Sequence, residues 1–235
     1  MRPDLTRFRS PLLFLALCVT SPGLVLAETQ PTPTASTVAT RSADFRGEPA
    51  SPEAREIANW VVATGDNQGM GFILVDKRMA KVLVFDAAGR LTGASTALLG
   101  RAKGDDSVPG IGTRKLSTIR PEERTTPAGR YVAGIGEDFH QDILWIDYDA
   151  AISLHRVVHG NPADHRLARL ASASLADKRI SYGCINVPAR FFDDTILAAF
   201  RGTSAVVYIL PEVKTLQAVF HMARPAGAPD GSKAP

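Results

Sequence analysis

Short apolar runs separated by polar turns dominate the middle of the chain. Gly71-Phe-Ile-Leu-Val-Asp76 and Lys81-Val-Leu-Val-Phe-Asp86 flank a polar turn and predict a β-hairpin. Ala88-Gly89 makes a second turn into a strand over 91–98, and Thr126-Pro-Ala-Gly129 leads into another over 130–135. Apolar runs at 143–148, 152–158 and 205–210 predict three more strands, the last of them closing the sheet. Residues 100–124 show no sustained period and predict a long surface loop, with a short strand near Leu116. Helical signals are few. Ser51-Pro52-Glu53 combines a cap, a proline at the first position and an acid in the first turn, and Ile57, Trp60 and Val61 then give one apolar face up to Gly65. A second helix is predicted from Pro162 to Ser172 with Leu167, Leu170 and Ala171 inward, and a third from Pro188-Ala189 to Phe200. The pattern is that of a mainly β domain, mixed and largely antiparallel, with a few short helices.

The first 27 residues follow a different rule. Arg2, Arg7 and Arg9 precede an apolar centre, Pro11-Leu-Leu-Phe-Leu-Ala-Leu-Cys-Val19, and Val25-Leu26-Ala27 offers small-residue cleavage before Glu28. That order predicts a cleaved export signal at 1–27 and a periplasmic or cell-envelope location. The apolar run falls short of the ~20 residues a bilayer needs, so no stable membrane span is expected after cleavage. Residues 28–50 are rich in Thr, Pro and Ala and predict a flexible tether. A short helix and linker follow at 51–69, the main domain at 70–211, and a C-terminal extension at 212–235 whose end is expected to be disordered.

Composition matters here mainly through the leader. Over 235 residues, 45% are hydrophobic and 22% charged, which excludes wholesale disorder. The formal charge of +3 suggests a nucleic-acid partner, but three of the basic residues lie in the leader, and the remainder is nearly balanced. No nucleic-acid partner is expected. The two cysteines are too few for a disulfide scaffold or a four-thiolate zinc site. Loss of the leader removes Cys18 and leaves Cys184 as a single thiol in an oxidising compartment, which asks for a reactive role.

Ile180-Ser-Tyr-Gly-Cys-Ile-Asn-Val-Pro188 carries the chemistry. Glycine before the cysteine lets the backbone turn tightly and brings amides close to a reacting carbonyl. Ser181-Tyr182-Gly183-Cys184-Ile185-Asn186 resembles the cysteine motif of the L,D-transpeptidase catalytic domain, the YkuD-type family, and Thr126-Pro127-Ala128-Gly129-Arg130-Tyr131 resembles that family's Thr-Pro-x-Gly-x-aromatic segment. The resemblance spans roughly residues 70–210. It implies a β-sandwich or barrel-like fold and a cysteine acyltransferase acting on peptidoglycan tetrapeptide stems through a Cys184 thioester, with no metal or organic cofactor. It implies oxyanion and substrate contacts from Gly183, Ser181, Tyr182 and Asn186. The acyl acceptor is a stem amine, an envelope protein or, in a hydrolase or L,D-carboxypeptidase on the same fold, water. A non-catalytic wall-binding module is the rival of a different class. Tyr182 stands where many members carry a second histidine.

The general base is open between two residues. His155 lies inside the predicted strand over 152–158, which suits a rigidly held base, and is favoured. His159-Gly160 copies the family's His-Gly pair and is the rival. The two lie about 13 Å apart on an extended strand, so only one can reach the sulfur. His165 has the conventional spacing from Ser181 but falls on the first turn of the second helix. His140 and His221 have no companions at metal-ligand spacing, and no metal site is expected. Arg166, Arg169, Lys178 and Arg179 suggest a basic surface face on the insert before the cysteine motif.

Overall fold

The computed structural model describes residues 41–138, 140–158 and 160–222. The chain enters through α1 (Pro52–Thr64), whose ends follow from their caps. Ser51 Oγ accepts from the Ala54 amide at 3.0 Å, and Gly65 closes the helix in the left-handed region at φ 70°. Such an N-cap is worth about 1 kcal/mol. The strands β1 (Phe72–Asp76), β2 (Lys81–Phe85) and β3 (Leu91–Thr96) form an antiparallel meander. After the two-residue β4 (Leu99–Gly100) come the long antiparallel strands β5 (Gly129–Asp138), β6 (Gln141–Asp147) and β7 (Ile152–Arg156). A short α2 (Arg166–Ala171) precedes β8 (Arg179–Ser181) and β9 (Ile185–Val187). The third helix, α3, is α-helical at Ala189–Phe191 and Ala198–Phe200 and π-helical between them at Phe192–Leu197; β10 (Ser204–Ile209) and α4 (Leu216–Phe220) complete the described chain.

Eight strands make one mixed sheet in the order β3-β2-β1-β10-β5-β6-β7-β9. Its two ends meet: Leu98, two residues past β3, exchanges backbone hydrogen bonds of 2.8 and 2.9 Å with Asn186 on β9. The sheet is thereby nearly closed into a barrel. Every residue of β1 is buried because both of its faces are covered. Ile73 and Val75 face an inner core shared with Phe192, Ile196 and Phe200 of α3. Phe72 and Leu74 face an outer core roofed by α1 and α4. This double covering explains a continuous apolar run instead of alternation.

Several expectations are corrected. The last strand does not close the sheet: β10 lies in its middle, parallel to β1 and antiparallel to β5. Leu116 sits in a 3-10 turn with 61% of its surface exposed, and the segment 100–124 contains three such turns instead of a strand there. The end of the supposed tether is folded. Asp44 bridges Arg90, and Phe45, only 5% exposed, packs edge-on against Phe85. A composition average over 28–50 hides that one aromatic. The expected export signal and residues 28–40 lie outside the described residues, as do 223–235. Among the described residues no helix is long and apolar enough to cross a membrane.

Candidate active site

Sheet register carries one face to the candidate chemistry. Val206 of the outer core pairs with Val132, and Gly134, two residues on, pairs with Trp145. Trp145 in turn pairs with Ser153, and His155, two further along β7, pairs with Asn186. Residues directly paired share a face, as do residues two apart. Ser153, His155 and Asn186 therefore lie on the outer face, beyond the part that the helices cover, while Ile152 and Leu154 point into the inner core.

Cys184 reaches the same face from the turn between β8 and β9. Ser181 Oγ donates to the Cys184 carbonyl at 2.6 Å and accepts from the Gly183 amide at 3.1 Å, so it stitches the turn shut. Gly183 has φ +137°, and a Cβ there would lie 2.7 Å from the Thr125 carbonyl oxygen and 2.7 Å from Ile152 Cδ1. A fixed backbone oxygen cannot move aside, so glycine is required. Thr126 Oγ1 donates to the Gly183 carbonyl at 2.7 Å and accepts from the Gly100 amide at 2.9 Å. Lys77 Nζ, fully buried, donates to the Thr126 carbonyl at 2.9 Å and to Asp105 at 2.7 Å. The cysteine turn is thus braced from outside its own segment.

The half-buried Cys184 Sγ lies 3.5 Å from Ser153 Oγ and 3.5 Å from the Ala151 carbonyl. Burial pushes the thiol up, but a hydrogen bond and the charge of His155, with help from Ser153, bring it below its ordinary value. Burial pushes the His155 ring down, but the same thiol and the Arg156 carbonyl raise it above its ordinary value. The two shifts agree in sense: the pair favours thiolate and imidazolium. His155 Nδ1 stands 2.7 Å from the Arg156 carbonyl, which only accepts, so Nδ1 carries a proton and Nε2 is the nitrogen that exchanges one.

Tyr182, half-buried, has the Arg124 guanidinium 3.9 Å from its ring centroid and walls a cleft of about 80 Å³ that reaches Cys184. Ile111, Leu116 and Ile119 from the segment 100–124 also line it. The loop 100–124 therefore belongs to the site. Ser181 and Asn186 are only 3% and 1% exposed: Ser181 Oγ is spent on the turn, and the Asn186 amide on the Cys184 carbonyl and Arg166. The Gly183 amide is committed to Ser181.

The other histidines separate cleanly. His159 lies outside the described residues. His165 is exposed in the left-handed region at φ 48°, where it splits the expected second helix into a 3-10 turn and α2. Leu167 and Ala171 are exposed rather than inward, and only Leu170 is buried. His140 and His221 are exposed. Among the described residues no group of three or more His, Cys, Asp or Glu could hold a metal ion. The basic insert residues are not a free face. Arg166 bonds Asp164 and Asn186, Arg169 the Asp164 carbonyl, Lys178 the carbonyls ending α2, and Arg179 Glu212.

Sequence reasoning missed Ser153, and it placed Thr126 in a family-like segment and Arg166 on a surface face without the contact that each makes at the site. Ser153 was reachable, since it stands two residues from His155 on one strand and shares its face. The other two contacts are long-range and leave no local mark.

No family model and no curated protein sequence matches the chain. Among solved structures, a cysteine-to-serine variant of the Enterococcus faecium L,D-transpeptidase aligns over 59% of this chain and 49% of its own, at 15% identity and a TM-score of 0.32. The L,D-transpeptidase of Xylanimonas cellulosilytica aligns over 60% of each chain, at 14% identity and a TM-score of 0.35. The helical cell shape determining protein of Campylobacter jejuni aligns over 62% of this chain and 49% of its own, at 13% identity and a TM-score of 0.40. The chain thus spans about half the length of the first and third of these proteins.

Proposed function

We propose that the chain is an exported cysteine acyltransferase of the L,D-transpeptidase type, acting on peptidoglycan tetrapeptide stems. The observation that carries this reading is the placement of Cys184 and His155 together on one sheet face, where each draws the other toward thiolate and imidazolium. Such a pair is the activated nucleophile and base that acyl transfer needs. The Ser-x-Gly-Cys-x-Asn motif around it supplies the substrate class through its resemblance to the family.

In the proposed reaction His155 Nε2 holds the proton of the Cys184 thiol, and the thiolate attacks the carbonyl of the bond between an L-centre and D-alanine. The Cys184 amide donates to the developing oxyanion. The carbon–nitrogen bond breaks as Nε2 returns its proton to the leaving D-alanine amine, and a thioester remains on Cys184. An acceptor amine then attacks the thioester, loses its proton to Nε2, and restores the thiol.

Incubating residues 28–235 with a disaccharide tetrapeptide and weighing the products tests the reading. A cross-linked dimer is expected, with Cys184→Ala inactive yet folded. A trimmed monomer would move the chain to the hydrolase reading. No change with any stem, by a folded chain, would leave a wall-binding module.

A further inference from the structure

We propose that Arg166 is a positioning residue that sets the proton affinity of His155 through the side-chain amide of Asn186. The proposal deepens the acyl-transfer reading and rests on His155 as its base.

Arg166 Nη1 donates to Asn186 Oδ1 at 3.1 Å, and its Nε donates to Asp164 Oδ2 at 3.1 Å. Guanidinium has no acceptor, so the amide oxygen must face it. The amide nitrogen then points the other way, where Asn186 Nδ2 donates to the Cys184 carbonyl at 3.3 Å and stands 3.4 Å from His155 Nε2. Both ends of the amide agree, and Asn186 is 1% exposed, so no water competes for it. Nδ1 of His155 is already committed as a donor to the Arg156 carbonyl. The amide N–H₂ therefore favours the ring with a lone pair on Nε2. Once Nε2 is protonated, two donors face each other with a cation behind them.

The consequence falls at a definite stage of the reaction. While the thiolate exists, it holds the imidazolium in place. When the thiolate has become part of the acyl bond, that counter-charge is gone, and Nε2 faces the Asn186 amide donor with Arg166 behind it. The ring is then a stronger acid and gives its proton to the departing amine. Among the described residues, the charged groups that face His155 are Cys184 from the β8–β9 turn and Arg166 from α2. Arg156 on its own strand turns its guanidinium to Asp193, and Asp164 is taken by Arg166. Burial lowers the ring first, the thiol and the Arg156 carbonyl raise it, and the charge of Arg166 lowers it.

The test uses residues 28–235 carrying Cys184→Ala, so that no thiolate masks the effect, and follows the His155 ring by NMR against pH. Adding Arg166→Met should raise the ring's midpoint by about one pH unit, because both the charge and the fixed amide are lost. Arg166→Gln, which keeps a donor for Asn186 Oδ1, should raise it by less. An unmoved or lowered midpoint in a folded Arg166→Met chain overturns the proposal, and if that chain does not fold, an unmoved midpoint in Arg166→Gln overturns it. The measurement needs no substrate, so a chain that fails to transfer acyl groups leaves its outcome standing.

Discussion

Cys184 keeps company with one imidazole, one hydroxyl and one carbonyl; burial pushes the thiol up, and the imidazole together with the hydroxyl outweighs it. A thiol held low is a nucleophile above its depressed value, and loses reactivity as the pH falls through it. Replacing His155 with Gln removes the hydrogen bond and the cation while burial stays, so the thiol should rise. We expect His155→Gln to lower stem acylation by on the order of 10²–10⁴. Alkylation of Cys184 should begin at a higher pH than in the unaltered chain. Retained acylation with an unshifted alkylation profile would transfer the role of base to another histidine, His159 first.

At the scale of elements, the site depends on a buried ion network behind it. Lys77 follows β1 and is 1% exposed, and its ammonium bonds Asp105, the Gly104 carbonyl at 2.5 Å and the Thr126 carbonyl. Asp105 also accepts from the amides of Glu212, Val213 and Lys214, which fasten the chain after β10 to this point. Removing one partner of a buried pair leaves the other uncompensated, so Lys77→Met should cost about 3–5 kcal/mol in denaturant unfolding. Burial pushes the Asp105 carboxyl up, but those amides and Lys77 outweigh it and hold it at about 2. A depressed carboxyl adds stability that is full above about pH 4 and drains away as the pH falls through its folded value. Acid unfolding should therefore set in below about pH 4, and Asp105→Asn should flatten that limb. An unchanged acid limb in Asp105→Asn would count against this network as its source.

For the whole molecule, the buried Phe45 ties the segment before α1 to the sheet. Chains beginning at 51 should be less stable than chains beginning at 41 by about 1.5–3 kcal/mol, lost with the buried Phe45 ring. Equal stability of the two truncations would return 41–50 to the tether. Export is tested separately. Protein taken from the cell envelope should begin at or near Glu28 on N-terminal sequencing, and a chain that keeps Met1 inside the cell would overturn the leader reading.

The sequence by itself determined most of the elements and the candidate nucleophile. Caps and proline placed α1 between Ser51 and Gly65, apolar runs placed β1, β2 and β5–β7, and the Gly-Cys turn singled out Cys184, because each of these signals is local. Strand alternation even put His155 on one face, since side chains in an extended chain have a period of two. Only the tertiary structure decided the rest. The central place of β10, the walling of the cleft by 111–119, and the hold of Thr126 on Gly183 join residues far apart in sequence. Composition made Arg166 and Lys178 a surface face and Phe45 part of a tether, but their contacts turned them inward. A side chain's own chemistry states what it can bond; which partner reaches it is fixed by chain closure, and no local pattern records that.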